Sequence, residues 1–362
     1  MSGMVTTAND GGALGMRTAS PTGLDLGRLA DWLAAERPGL VSGELSASLI
    51  EGGKSNLTYQ LSDGVRQWIV RRPPLGTVMA TAHDMRREYT MAQALGSTDV
   101  PVPAMIAYCG DKDVLGADFY LMERIDGVPY RYRDEIAPLG EARTRSIGTE
   151  LVRTLATLHR VDPVKAGLGG FGRPEGFLGR QVKRWKTQLD ASFTRELPGV
   201  DELYEKLVAA VPQESAAGIV HGDFRLDNVL MGADDKPAAV IDWEMATLGD
   251  PLLDLALMLI YQRRARIVAA RETTDPASYD VTLAPGYPSE GEIMALYESE
   301  SGRSLQGFGF HLGLACFKLA GISEGVRYRH INRQTVGAGF EDSGSTVPLL
   351  IGLGLESLKE HK

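Results

Sequence analysis

Two short stretches hold the residues whose types and spacing could do chemistry: His221-Gly-Asp-Phe-Arg-Leu-Asp-Asn228 and Ile241-Asp-Trp-Glu244. An apolar pair, Ile219 and Val220, leads into a turn bearing His221 and Asp223. Asn228 follows, and a second apolar run at 238–241 delivers Asp242. Moving a phosphoryl group asks little covalent chemistry of a protein. It needs one carboxylate to orient and deprotonate the attacking hydroxyl, with an Asn and an Asp to hold the Mg2+ that bridges the nucleotide phosphates. Asp223, Asn228 and Asp242 supply that set in chain order. Asp and Asn are also common turn formers because they hydrogen-bond their own backbone, so a lone His-Gly-Asp would often be structural. Two strands, two carboxylates and an amide, followed by Gly249-Asp-Pro-Leu-Leu-Asp254, form a more demanding pattern. That pattern points to a site for nucleotide phosphates and a metal.

The spacing also matches the catalytic loop and the following metal-binding Asp of protein kinases. The segment resembles the aminoglycoside phosphotransferase/choline kinase superfamily, small-molecule kinases that share the protein-kinase fold. Within it, Arg71-Arg-Pro-Pro74, His83-Asp84 and Arg87-Glu88 look most like the kinase-like domains fused to some acyl-CoA dehydrogenases and their free-standing bacterial relatives. The similarity covers residues 45–325. It implies a two-lobed α+β fold, with a small antiparallel-sheet N-lobe and a mainly helical C-lobe. It also implies ATP, with GTP as the alternative nucleotide, bound with Mg2+ in the cleft. The expected limits are a flexible tail at 1–25, a nucleotide-binding N-lobe at 26–124 and a C-lobe at 125–362. The C-lobe would hold the catalytic loop, the metal site and a helical substrate region.

The bulk properties agree with such a protein. At 362 residues the chain can form about two domains or lobes. Its 43% hydrophobic and 23% charged residues are those of an ordinary globular protein. Cys109 and Cys316 sit among apolar residues, lack metal-ligand spacing and suit a reducing, cytoplasmic setting. A net charge of −9 argues against nucleic acid as the main partner. No apolar run reaches the roughly 20 residues of a membrane span, and the first twenty residues lack the apolar core of a signal peptide.

The elements that must position the chemistry follow from periodicity. Residues 26–33 place Leu26, Leu29, Ala30 and Leu33 on one helical face. Strand-like runs at 45–51 and 57–61 flank Gly52-Gly-Lys-Ser-Asn56, a loop whose amides could lie over phosphates, with Gly53, Ser55 and Asn56 as contacts. A Walker A reading of Lys54-Ser55 fails, because position 48 is Ser where that motif needs Gly. The next strand, 67–71, aligns Arg71 where the superfamily usually has a phosphate-gripping Lys, with Arg72 on the opposite, solvated face. Arg offers a fork of donors but is bulkier and bonds differently. The helix at 83–95 would carry its acidic partner, Glu88. Further strands are expected at 105–108 and 119–123. The resemblance puts Met122 and Glu123 where main-chain groups meet adenine.

In the second half, 139–159 reads as a helix with Ile147, Leu151, Leu155 and Leu158 as its apolar stripe, ended by Asp162-Pro163. His159 at its end is expected to bond the last carbonyls. Residues 167–179 read as a Gly-rich irregular connection, and 203–211 as a helix. Asp223 is expected to be the base and Asn228 and Asp242 to hold Mg2+. Arg225 either stabilises the transferring phosphate or pairs with Asp227. His221 is expected to brace the loop backbone, Glu244 to touch the metal through water, and Asp254 to accept amide hydrogen bonds from the loop. Helical patterns at 293–297 and 312–327 would close over an acceptor, with Tyr261, Glu324, Arg327, Tyr328 and His330 as candidate contacts.

The expected reaction is transfer of the ATP γ-phosphoryl group to a hydroxyl of a small molecule. Superfamily acceptors include aminoglycosides and choline; the dehydrogenase-linked subgroup suggests a hydroxylated acyl compound. An aminoglycoside would need clustered acids, and Glu292, Glu298 and Glu300 are the group available. One rival is a nucleotide-binding pseudokinase, supported by Arg71 alone. The other is a protein kinase, disfavoured by the short stretch between Asp242 and Gly249 and the lack of an Ala-Pro-Glu segment.

Overall fold

The computed structural model of the chain describes residues 20–50, 56–75, 84–213, 217–270, 279–334 and 344–359. Gly53 and Ser55, expected at the Gly loop, lie outside the described residues, as do 1–19 of the expected tail. The chain divides into two units: 1–83 with 107–122, and 84–106 with 123–362.

In the first unit, α1 (Leu26–Glu36) is capped by Asp25, whose carboxylate accepts from the Arg28 amide at 3.0 Å. Leu26, Leu29 and Leu33 are buried on one face, the spacing of an amphipathic helix. Strands β1 (Ser46–Leu49), β2 (Leu57–Ser62) and β3 (Gln67–Arg72) run antiparallel in sequence. Helix α2 (Met85–Leu95), which groups with the second unit, follows. Then come β4 (Met105–Cys109), the short α3 (Lys112–Leu115) and β5 (Phe119–Glu123). The five strands form one sheet of order β1-β2-β3-β5-β4. Tyr59 opposite Val70 and Leu61 opposite Trp68 are all buried and anchor the register.

The structure corrects two expectations here. Arg72, expected at a solvated face, is buried: every β3 residue after Gln67 is. Its guanidinium donates to the carbonyls of Gly23, Leu115 (2.8 Å) and Pro73 (3.3 Å). A buried guanidinium needs oxygen acceptors, and residues 20–25 help to supply them. That segment, expected as the end of a flexible tail, is consequently pinned. Leu24 is buried, and the Tyr59 hydroxyl donates to the Thr22 carbonyl at 2.6 Å.

The second unit is mainly helical. It contains α4 (Arg133–Ile136), α5 (Glu141–Arg160), α6 (Phe177–Asp190) and α7 (Val200–Ala209). Four short strands follow: β6 (Gly218–Val220), β7 (Val229–Met231), β8 (Pro237–Val240) and β9 (Thr247–Gly249). The chain then forms α8 (Leu252–Ala269), α9 (Glu290–Ser301), α10 (Gly309–Ile331) and α11 (Val347–Ser357). The α5 stripe of Ile147, Leu151, Leu155 and Leu158 is buried as its spacing predicts. α9 starts on a capping box, Ser289 with Glu292, and stops at Gly302 in the left-handed region. The first halves of α8 and α10, 253–260 and 309–321, are buried on every side, which suits helices enclosed by others. Cys109 and Cys316 are buried and unbridged. Among the described residues no helix is long and apolar enough to cross a membrane.

Replacing Arg72 by Met should leave buried carbonyls without donors and cost about 1–3 kcal/mol of stability. Urea unfolding would read the loss, and limited proteolysis would report whether 20–25 come loose. Unchanged stability would show that these contacts do not hold the segment.

Candidate active site

The four short strands set the geometry. β6 pairs antiparallel with β9, and β7 with β8, so each chemistry-bearing residue sits at a strand end. β6 ends at Val220 and releases His221 and Asp223. Asn228 stands just before β7, and Asp242 lies two residues beyond β8. The β7–β8 ladder runs on past its formal end, the Ile241 amide donating to the Asn228 carbonyl at 2.9 Å. Backbone pairing therefore brings the Asn228 and Asp242 segments together.

Beneath the loop lies Asp254, from the first turn of α8, with no solvent exposure. Its Oδ2 accepts from the His221 amide at 2.6 Å and its Oδ1 from the Gly222 amide at 2.7 Å. His159 reaches Oδ2 through Nε2 at 3.3 Å, while its Nδ1 meets the Tyr297 hydroxyl at 2.7 Å. The expectation that His159 bonds the last carbonyls of its own helix is thus overturned. The α5 end is buried, and the ring finds a carboxylate and a phenol within reach. Burial alone would raise the Asp254 carboxyl. The hydrogen bonds from His159 and the Gly222 amide outweigh it and hold the group below its ordinary value. Burial pushes His159 down, so it is a neutral ring donating from Nε2 and accepting at Nδ1.

His221 braces the loop. Its Nε2 donates to the Ile241 carbonyl at 3.0 Å, and its Nδ1 accepts from the Asp223 amide at 3.3 Å. Both ring nitrogens are engaged by backbone, which leaves no position for proton shuttling. The ring is fixed by Trp243 (centroids 4.6 Å apart) and edge-on by Phe224 (5.7 Å). Trp243 donates from Nε1 to the Val240 carbonyl at 3.1 Å. Directly before it, Asp242 adopts the left-handed conformation at φ 67 and ψ 58, which Asp tolerates better than most residues. Glu244 follows in the same 3-10 turn.

Asp223 itself is half-buried. Asn228 donates from Nδ2 to the Asp223 carbonyl (2.9 Å) and to Oδ2 (3.2 Å), and the Tyr261 hydroxyl donates to Oδ1 (3.3 Å). Burial and the Asp223 charge raise the Tyr261 pKa, so the phenol keeps its proton. Arg225 forms an ion pair with Asp227 (Nε to Oδ1, 2.5 Å) and lies 4.3 Å over the Tyr261 ring. Arg131 shares the same carboxylate at 3.2 Å. Asp223, Arg225, Asn228 and Tyr261 are thus one cluster, with Asp242 joined to it through the backbone.

Other expected residues lie elsewhere. Glu324 is fully buried, its oxygens taken by Thr194 and Arg195, each at 3.0 Å; Arg327 belongs to that group, donating to Thr194 at 3.3 Å. These contacts give Glu324 a structural tie between α10 and the segment after α6. Tyr328 is exposed, and His330 half-buried in the last turn of α10. Glu292 pairs with Arg145 (2.7 Å), Glu300 with Arg153 (3.3 Å), and Glu298 accepts from the Leu305 amide (2.9 Å), so the acids serve packing of α9. Asn56, just before β2, and Arg71, in β3, are buried. Glu88 is 1% exposed, not the solvated acid a helix usually carries. Met122 is buried in β5. The Glu123 amide is engaged by the Ala104 carbonyl at 2.9 Å, so a purine contact there would use the Glu123 carbonyl.

Sequence reasoning missed Arg131, Tyr297 and Lys318, whose ammonium donates to the Gly222 carbonyl. A lone Lys within the apolar run 309–321 was the available signal for the last.

A family model for the "Phosphotransferase enzyme family" matches residues 46–287, more than half of the chain. The chain belongs to that family. Relatives include acyl-CoA dehydrogenase family member 11 from Homo sapiens, 35% identical over 292 residues, with 79% of this chain and 36% of that protein covered. Acyl-CoA dehydrogenase family member 10 from Mus musculus is 33% identical, covering 84% of this chain and 28% of that protein. The chain thus spans about a third of the length of such relatives. Among solved structures, a candidate aminoglycoside phosphotransferase from Ralstonia eutropha superposes with a TM-score of 0.80 at 31% identity, covering 93% of this chain and 99% of the other. A choline kinase from Cryptosporidium parvum shares the fold alone (TM-score 0.60, 15% identity, 93% and 96% covered). The two-lobe architecture, an antiparallel sheet and a mostly helical part, is therefore the kinase-like fold of this family.

Among the described residues no three His, Cys, Asp or Glu side chains converge to hold a metal by themselves. One Asp and one Asn fit an Mg2+ that takes its remaining oxygens from phosphates and water, the usual habit of that ion.

The two buried groups beneath the loop also give a pH dependence. His159 is neutral in the fold and protonates on unfolding near the ordinary value of about 6.5. Its contribution to stability is full above that value and is lost as pH falls below it. Asp254 acts in the same sense at lower pH: its contribution is full above about 4 and is lost as pH falls further. His159→Gln should flatten the fall in unfolding free energy between about pH 7 and 5, read by urea titration at each pH. A slope identical to that of the unaltered protein would mean that His159 is not the titrating group.

Proposed function

We propose that this phosphotransferase-family protein transfers the γ-phosphoryl group of ATP to a hydroxyl of a small molecule, with Asp223 as base. The observation that carries the reading is the Asp223–Asn228–Tyr261 cluster beside Asp242. Two neutral donors orient the Asp223 carboxylate without discharging it, which suits a group that must accept a proton as a hydroxyl approaches. In the reaction, Asp223 takes the acceptor's proton, the freed oxygen bonds to the γ-phosphorus, and the bond to the β–γ bridging oxygen breaks, releasing ADP. Asn228 and Asp242 would hold Mg2+, which neutralises charge on the phosphates when bound. Arg225 is assigned to the transferring phosphate, its bond to Asp227 holding the guanidinium in readiness. With these goes the assignment of Gly53, Ser55, Asn56, Arg71, Met122 and Glu123 to the nucleotide, and of Glu88 as partner of Arg71. Complete Asp223, Asn228 and Asp242 side chains favour turnover over a pseudokinase.

For the acceptor we propose a hydroxylated acyl compound. The kinship with proteins named acyl-CoA dehydrogenases supports it. So does the engagement of Glu292, Glu298 and Glu300 by arginines and a backbone amide, which removes the acids that a polycationic aminoglycoside would need.

ADP release should be followed with Mg-ATP over hydroxyacyl compounds, amino alcohols and aminoglycosides. Turnover that depends on a hydroxyacyl acceptor and drops about 10^3-fold or more in Asp223→Ala, roughly 4 kcal/mol of barrier, is expected. Equal turnover in that variant would remove Asp223 from the chemistry. Turnover only with an aminoglycoside would replace the acceptor and leave the reaction.

A further inference from the structure

α10 carries one cation where the helix is enclosed on every side. All residues from Gly309 to Gly321 are buried, and Lys318, 3% exposed, is the one Lys, Arg, Asp or Glu among them. A buried ammonium is costly unless its surroundings compensate it. Its Nζ donates to the Gly222 carbonyl and stands 5.8 Å from the centre of the Trp185 ring on α6. Burial pushes its pKa down; the charges of Asp223 and Asp254 pull it back up, and Arg184 opposes them.

The acceptor of that hydrogen bond is not an arbitrary carbonyl. Gly222 has φ +89, and a Cβ there would lie 2.8 Å from the Met245 Cβ and 2.9 Å from its carbonyl oxygen, so only glycine fits. The Gly222 amide is held by Asp254. Its carbonyl belongs to the same peptide as the Asp223 amide, which meets His221 Nδ1 at 3.3 Å. On the other side of Asp223, the next carbonyl is held by Asn228 at 2.9 Å. Both peptides that flank Asp223 are thus fixed by side-chain donors, Lys318 on one side and Asn228 on the other.

We propose that Lys318 is a positioning residue for phosphoryl transfer. Anchoring the Gly222 carbonyl fixes the peptide plane from which Asp223 projects, and the buried ammonium offsets the two carboxylates, Asp223 and Asp254, on either side of that glycine. The proposal rests on the reading of Asp223 as the base. It reaches beyond that reading by giving a residue remote in sequence a share in the rate.

The test uses the full chain with Lys318→Met, Lys318→Arg and Lys318→Gln. Each is followed by thermal melting, by kcat and KM for ATP in acceptor-dependent ADP release, and by amide hydrogen exchange. In Lys318→Met, kcat should fall about 100-fold, the scale of a small misplacement of a reacting group, while KM for ATP stays within about threefold. Exchange should quicken at residues 221–224 and stay slow in α10. Lys318→Arg, which keeps charge and donor, should recover at least about tenfold of the lost kcat. If Lys318→Met does not fold, Lys318→Gln, which keeps a donor without the charge, is read by the same standard. A kcat within about threefold of the unaltered protein overturns the proposal, as does an Arg variant no better than Met. Should the unaltered protein turn over no acceptor, the kinase reading fails on its own account. Hydrogen exchange then decides the anchoring alone, and unaltered exchange at 221–224 rejects it.

Discussion

The Asp254 carboxylate is the constraint on which the rest of the site depends. A fully buried anion is tolerable only when donors surround it, and here the successive amides of His221 and Gly222 and the His159 ring do so. The loop cannot leave its place without stranding that charge. The same requirement explains why α5, α8 and α9 meet where they do. α8 delivers the carboxylate, α5 ends in the imidazole that supports it, and Tyr297 of α9 fixes the imidazole in turn. Three long helices are therefore the remote foundation of a short turn, and their apolar stripes serve to bring three polar groups together in the core.

From that base, order passes outward through His221 rather than through a rigid strand. One imidazole joins the Asp223 amide to the Ile241 carbonyl, which belongs to the peptide leading into Asp242. The proposed base and the proposed metal ligand are thereby kept in register although they follow different strand pairs. The left-handed backbone of Asp242 follows from the same packing. Trp243 is buried against His221 with its ring nitrogen bonded to Val240, and the chain can reach that position only by turning sharply at the residue before it. Asp accepts such a conformation at modest cost, and the rigid neighbours on both sides hold it there.

The sequence made the turn legible because its chemistry is local. Asp223, Asn228 and Asp242 fall at strand ends set by short apolar runs, and a pattern of residue types at fixed spacing conveys that directly. Even Asp254, 32 residues from Gly222, follows a glycine and proline signal that marks a helix start. The supports were less legible because they act across long separations. His159 lies 95 residues from Asp254 and 138 from Tyr297, and Lys318 lies 96 from Gly222. Nothing in the residues around His159 tells a helix cap from a ring that crosses the core. Glu324 is the converse case: an acid named as a candidate substrate contact is bonded to Thr194 and Arg195 within the fold. Arg72 failed for a third reason. Alternation along β3 predicts one wet face, and that inference breaks down where a sheet is covered on both sides.

The charge of the chain also reads differently once its partners are known. A net −9 could suggest an acidic surface waiting for a cationic molecule. The acids of α9 instead face arginines of α5 or a backbone amide, and α8 adds Arg263, which pairs with Glu290. These pairs hold helices together at exposed or half-exposed positions, where each contributes little alone. Close to Asp223 the partners differ: Arg225 and Arg131 share the carboxylate of Asp227. The charges of Asp223 and Asp280 also act on Arg225, so acids and cations are interleaved around the turn. Net charge describes the whole surface, but the field at Asp223 is set by these few fixed groups and by the dry protein around them.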